Sequence, residues 1–191
     1  MTVKKIILAS ASPRRSELLK KWGVPFTVNP SHVNEMTDRV RPFAIVKELA
    51  LRKADSVARG LDAGIVIGAD TIVVLRGKII GKPRDPGHAE KILGRLNGTR
   101  HKVYSGVAVV DAASGKRAVA YEVSTVTMRP LSREEIKRVS TKHLDKAGAY
   151  AVQENSDAFV EKIEGEYFNV VGLPYGKLRS LLKPYGISLK G

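Results

Sequence analysis

The chain has 191 residues, of which 43% are hydrophobic, as suits one ordinary globular domain. It contains no cysteine, which excludes disulfides, thiolate metal sites and a cysteine nucleophile, and it has no stretch of about 18 apolar residues, which excludes a helical membrane span. The formal charge of +14 fits an anionic partner (nucleotide, nucleic acid or acidic surface) or else a solvated basic surface.

Strand and helix patterns alternate along the chain. VKKIILA (3–9) reads as a buried strand rather than a signal peptide, and no A-x-A site follows, so a cytoplasmic location is expected. PRRSELLKKWG (13–23) reads as a helix with Ser12 as N-cap, Pro13 in the first turn and Gly23 at its end. FTVNP (26–30) reads as a short strand, followed by a polar loop containing HVNEMTD. Pro42 opens a long helix to about Arg59, with Phe43, Val46, Leu49, Ala50, Lys53 and Val57 at helical spacing. Residues 63–83 read as a strand, an Arg76-Gly77 turn and a return strand. Residues 85–98 read as a helix capped by Asp85 and stopped at Gly98. The β-branched runs 102–111 and 117–128 flank AASGK and read as a hairpin. Residues 132–143 read as a helix with a Ser132–Glu135 capping box, 157–172 as a hairpin turning near Gly165, and 174–186 as a closing helix. The alternation predicts an α/β or mixed α+β domain.

Several common sites are missing: the chain has no G-x-x-x-x-G-K-[ST], no G-x-G-x-x-G and no H-E-x-x-H. His32, His88, His101 and His143 lack metal-ligand spacing and read as surface or hairpin histidines. The polar residues at strand ends and loops carry more. Arg14 and Arg15 stand at the positive end of a helix dipole, where acids are favoured by about 0.3–1 kcal/mol each. With the Ser10 and Ser12 hydroxyls they suit an anion such as phosphate; otherwise the segment is a Ser-Pro cap with two solvent-facing arginines. Asp70 interrupts the apolar run IVIGADTIVV, which is costly unless the carboxylate is paired, hydrogen-bonded or metal-bound; the alternative is a turn at a strand end. Lys82, between Gly81 and Pro83, suits a phosphate point charge or a surface turn. Glu35 suits a second carboxylate for a cation shared with Asp70, since Mg²⁺ usually takes one or two carboxylates plus phosphates. Lys53 lies on the apolar stripe of its helix and either snorkels or points into a cleft. Gln153 suits a base edge or a strand end, and Asn169 reads as a structural hydrogen-bonder.

Together and in this order, LASASPRRSELL, LALRKA, GADTIVV, GKPRD, KAGAYAVQ and VEKIEGEYFNVVGLP resemble the Maf family of nucleoside triphosphate pyrophosphatases, over nearly the whole chain. The resemblance implies a single domain over residues 1–191: an elongated, twisted mixed sheet flanked by helices, with two lobes around a central cleft, as in inosine triphosphatase-like folds. It implies hydrolysis of a nucleoside triphosphate to the monophosphate and pyrophosphate with a divalent cation, Mg²⁺ or Mn²⁺, in a homodimer. It makes Asp70 the proton acceptor and, with Glu35, a metal ligand. It makes Ser10, Arg14, Arg15, Lys53 and Lys82 phosphate-side residues, and Arg14, Thr71 and Gln153 residues of substrate choice. The pair GADT and AVQ resembles the subgroup acting on dTTP and UTP, with modified pyrimidine nucleotides as further substrates. Two features differ from the usual pattern: Glu154-Asn155-Ser156-Asp157 follows Gln153 where glycine is common, and Tyr104-Ser105 stands where threonine is common. Other or modified nucleotides are the alternative substrates. A septation regulator is a further role that the same resemblance allows. A nucleic-acid-binding module is the rival from another class; +14 favours it, while 6% aromatics and no basic cluster interleaved with stacking residues oppose it.

Overall fold

The structure is a computed structural model that describes residues 4–144, 146–150 and 159–190. In chain order it holds β1 (Ile6–Leu8), α1 (Pro13–Lys21), β2 (Thr27–Val28), α2 (Pro42–Ala58), β3 (Ile65–Leu75) and β4 (Lys78–Ile80). Next come α3 (Pro86–Leu96), β5 (Arg100–Asp111), β6 (Arg117–Met128), α4 (Arg133–Val139), β7 (Val160–Glu164), α5 (Tyr167–Val171) and α6 (Tyr175–Leu182), with 3₁₀ turns at Ala147–Ala149 and Lys183–Tyr185. Among the described residues the strands form one mixed sheet in the order β2-β1-β3-β5-β6-β7, and β4 pairs with β3 outside that row. β1 is parallel to both β2 and β3; β4 on β3 and β7 on β6 are antiparallel. The fold is thus mixed α/β, as the alternation of patterns predicts.

The chain divides into two compact units. The first comprises Met1–Asp70, Ser105–Glu122 and Gly172–Gly191. Its core sets Ile7, Ala9, Val66, Ala108 and Val110 of the strands against Ala50, Ala54 and Val57 of α2. The small residues on both sides bring helix and sheet close: a Cβ at Gly106 would lie 2.1 Å from the carbonyl oxygen of Val46. The second unit comprises Thr71–Tyr104 and Val123–Val171, and packs Ile92, Leu93 and Leu96 of α3 with Val73, Val103, Val126, Met128 and Phe159.

Four expectations change. The stretch after Gly165 is not a return strand but the short helix α5. Its Asn169 is fully buried and donates to the Val103 carbonyl (3.1 Å) and the Ser124 hydroxyl (2.9 Å), while Ser124 Oγ donates to the Glu166 carbonyl (2.9 Å). These polar anchors hold residues 166–169 in a compact coil that an extended strand cannot match. Asn169 is therefore the structural hydrogen-bonder its setting predicts. α4 stops at Val139, short of His143, because the Ser140 and Thr141 hydroxyls bond back to the carbonyls of Lys137 and Arg138 and compete with the helical ladder. Ser12 stands at the N-cap of α1, but its hydroxyl makes no capping bond; the Ser12 N–H instead donates to Ser10 Oγ (3.3 Å). Finally, neither His101 nor His143 is at the surface: His101 is a hairpin histidine on β5 but is buried, its Nε2 2.7 Å from the Tyr150 hydroxyl, and His143 is buried after α4.

Candidate active site

The site grows from two junctions in the first unit. In β3 the side chains alternate, so Val66, Gly68 and Asp70 share the face covered by α2, and Thr71 takes the opposite face. Gly68 carries no side chain, so the α2 backbone settles on β3 beside it. Lys53, one residue before the buried Ala54, then extends its ammonium to the Asp70 carboxylate at 2.7 Å. The same ammonium meets Glu35 Oε1 at 2.6 Å. The Lys53 and Asp70 side chains are 12% and 9% exposed, whereas that of Glu35 is 52% exposed. One buried cation thus joins a buried acid to an acid open to solvent. That pairing answers the cost of placing Asp70 inside an apolar strand, and it resolves Lys53 as a lysine that points at a carboxylate.

The second junction is β1 to α1. Arg15 turns back from the helix: Nε donates to the Gly172 carbonyl (2.9 Å), and Nη1 donates to the Ser10 hydroxyl (3.0 Å) and the Ala69 carbonyl (3.0 Å). The planar guanidinium reaches these oxygens from two separate nitrogens, a spread that the single nitrogen of an ammonium lacks. Burial lowers the Arg15 pKa from its ordinary value; Asp70 opposes that shift, Arg14 adds to it and Glu35 opposes it. Arg15 therefore ties the first helix to the strand that carries Asp70, a task that its place in the sequence does not reveal. Arg14, in the first turn of α1, is half-buried.

The first unit thus brings together Ser10, Arg15, Glu35, Lys53 and Asp70 of the predicted site residues. Thr71 and Lys82 belong to the second unit; Lys82 is exposed, in the loop after β4. Gln153 lies outside the described residues. Two contributors go beyond the predicted set: the Gly172 carbonyl, which only the fold brings to Arg15, and the ion cluster Arg39–Glu48–Arg52 beside Glu35. The Glu48–Arg52 pair at i,i+4 was visible in the sequence as a helix-surface pair, though not its link to the Glu35 loop.

For a cation, the donor set is two carboxylates converging on one ammonium, and no group of three or more metal-binding side chains occurs among the described residues. Two carboxylates suit a divalent cation that takes its remaining ligands from substrate and water, not one held in a closed protein cage. No described helix is long and apolar enough to cross a membrane.

A family model described as Maf-like protein matches residues 5–185. The chain is 47% identical over 190 residues to the dTTP/UTP pyrophosphatase of Moorella thermoacetica, covering 98% of each chain. It is 50% identical over 185 residues to the dTTP/UTP pyrophosphatase of Alkaliphilus oremlandii, covering 95% of this chain and 96% of that one. Among solved structures, the Ham1 protein of Staphylococcus aureus shares the fold with a TM-score of 0.53 at 16% identity, over 95% of this chain and all of that one. With its family model spanning residues 5–185 and relatives near half identity along nearly its full length, the chain belongs to the Maf family.

Proposed function

We propose that this chain hydrolyses dTTP and UTP at the bond between the α- and β-phosphates, yielding the monophosphate and pyrophosphate. The observation that carries the reading is the Lys53 ammonium held between Asp70 and Glu35. A triphosphate needs cations around the leaving pyrophosphate and a base for the attacking water. Asp70 accepts the water proton as the anhydride opens. Lys53 fixes the Asp70 carboxylate and adds positive charge beside the phosphates. Ser10 and Arg14, at the start of α1, take phosphate oxygens, with Arg15 bracing the Ser10 hydroxyl that it already contacts. Lys82 adds a further phosphate contact. Thr71, Gln153 and Arg14 govern the choice of base. Glu35 and Asp70 would hold the Mg²⁺ or Mn²⁺, which when bound neutralises charge on the phosphates. A cytoplasmic homodimer completes the reading, on the strength of the family resemblance.

The test is pyrophosphate release from a panel of dTTP, UTP, CTP and 7-methyl-GTP with Mg²⁺ or Mn²⁺, run beside Asp70→Asn. The expected result is turnover of dTTP and UTP that falls at least about 100-fold in the variant, the scale of a lost general base. Turnover confined to other nucleotides overturns the substrate assignment and keeps the reaction. No turnover of any triphosphate by folded protein overturns the reaction.

A further inference from the structure

Glu35 sits in a loop of no regular structure between β2 and α2, a poor platform for a carboxylate that must meet a fixed point. Yet the loop is gripped. Arg52 Nη1 donates to the carbonyl of Asn34 at 2.6 Å and to the carbonyl of Met36 at 2.7 Å. These are the carbonyls of the two residues that flank Glu35 in the chain. The other arm of the guanidinium, Nη2, pairs with Glu48. Glu48 in turn holds Arg39 Nε at 2.8 Å, farther along the same loop. Arg39 N–H donates to Thr37 Oγ1 (3.2 Å), and Met36 N–H donates to Asn34 Oδ1 (2.8 Å), which stiffens the turn from within. Arg52 and Lys53 are neighbours on α2, so the helix that aims the ammonium also carries the group that brackets its partner acid.

We propose that Arg52 is a positioning residue for Glu35: its guanidinium clamps the Asn34 and Met36 carbonyls and so delivers the Glu35 carboxylate to Lys53 and to the cation that accompanies the substrate. The role in catalysis rests on the pyrophosphatase reading above; the clamp itself is geometry. Lysine has one side-chain nitrogen, so Arg52→Lys keeps a donor for the carbonyls but loses the Nη2 arm that Glu48 holds in place, and Arg52→Met loses both. The Arg39–Glu48 pair lies at the surface and adds little alone; its value is that it fixes the guanidinium plane from the other side.

The experiment is a double-variant cycle with Arg52→Met, Arg52→Lys, Glu35→Gln and the Arg52→Met/Glu35→Gln pair, each checked for folding by circular dichroism. Two quantities are read: kcat and KM for UTP, and the affinity for Mn²⁺ by electron paramagnetic resonance in the presence of a non-hydrolysable α,β-imido UTP analogue. Arg52→Met is expected to weaken Mn²⁺ binding and lower kcat by about 10-fold or more, the scale for lost support of a metal-site carboxylate, with KM for UTP nearly constant. Arg52→Lys falls between. On the Glu35→Gln background Arg52→Met adds no further loss, because its route through Glu35 is already cut. Losses that multiply in the pair overturn the proposal, as does an Arg52→Met enzyme with wild-type Mn²⁺ affinity. If Arg52→Met fails to fold, Arg52→Lys carries the same cycle. A wild-type chain that turns over no triphosphate overturns the pyrophosphatase reading, while the Mn²⁺ cycle still decides the clamp.

Discussion

The space beside Gly68 is filled by the backbone of α2: a Cβ there would lie 2.2 Å from the Ala50 carbonyl oxygen and 2.8 Å from the Ala54 nitrogen. Backbone cannot rotate away as a side chain can, so Gly68→Ala must push the helix off the strand. The expected cost is about 2–3 kcal/mol of stability, the scale of overpacking in a core. Lys53 rides on the same helix, so turnover per folded molecule should fall as well. Gly94→Ala, on the exposed face of α3 with nothing within 4 Å, should gain about 0.5–1 kcal/mol. Urea unfolding of the two variants checks the opposite signs.

Removing one partner of the buried Lys53–Asp70 pair should cost more than removing both charges. Lys53→Met leaves two carboxylates facing each other without their cation, at a cost of about 3 kcal/mol or more. Lys53→Met/Asp70→Asn should recover part of that loss, because a neutral amide needs no counter-charge. Both variants should be inactive. A double variant less stable than Lys53→Met in chemical denaturation contradicts this account.

His101 supplies an acid limit to stability. Burial holds its pKa down from 6.5 to about 4. The unfolded chain therefore takes up a proton at this residue, as pH falls from 6.5 towards 4, that the folded chain refuses. The contribution is full above pH 6.5 and is lost progressively below it, by on the order of 3 kcal/mol near pH 4. His101→Gln should flatten the pH dependence of urea unfolding between these values, whatever its effect at neutral pH.

Asn169→Ala should destabilise the second unit by about 2 kcal/mol, since it strips partners from the buried Val103 carbonyl and Ser124 hydroxyl. Thermal unfolding measures this directly. Asn169→Gln should not restore the loss, because the longer amide does not fit a site with no exposure.

The elements with strong local signals were legible in the sequence. α2 and the β3–β4 hairpin match their periodicity and turn residues, and the Ser132–Glu135 capping box is present in full. The segment at 167–171 was not legible, because the apolar residues that suggest a strand are overruled by where Asn169 finds partners 45 and 66 residues away. The site divides in the same way. Asp70 stood out as an acid in an apolar run, but its tie to Lys53 depends on a helix–strand approach that only the missing Gly68 side chain hints at. The acceptors of Arg15 and Arg52 include main-chain carbonyls, which every residue type supplies, so no residue pattern announces those contacts.

The first unit is assembled from three separate stretches, and its last is the C-terminal one. Arg15 is made before the second unit begins, but its Gly172 acceptor emerges only after the whole of that unit. The Lys190 N–H that reaches the Trp22 carbonyl arrives later still. On a translating ribosome, the stretches of the second unit are complete before the first unit can close, so a nascent chain stalled at Val171 would hold the Ser10–Arg15 segment with its anchor still unmade. Closure of the Ser10–Arg15 junction is therefore a late event, timed by residues 172–191 rather than by the strand and loop that bear the site's acids.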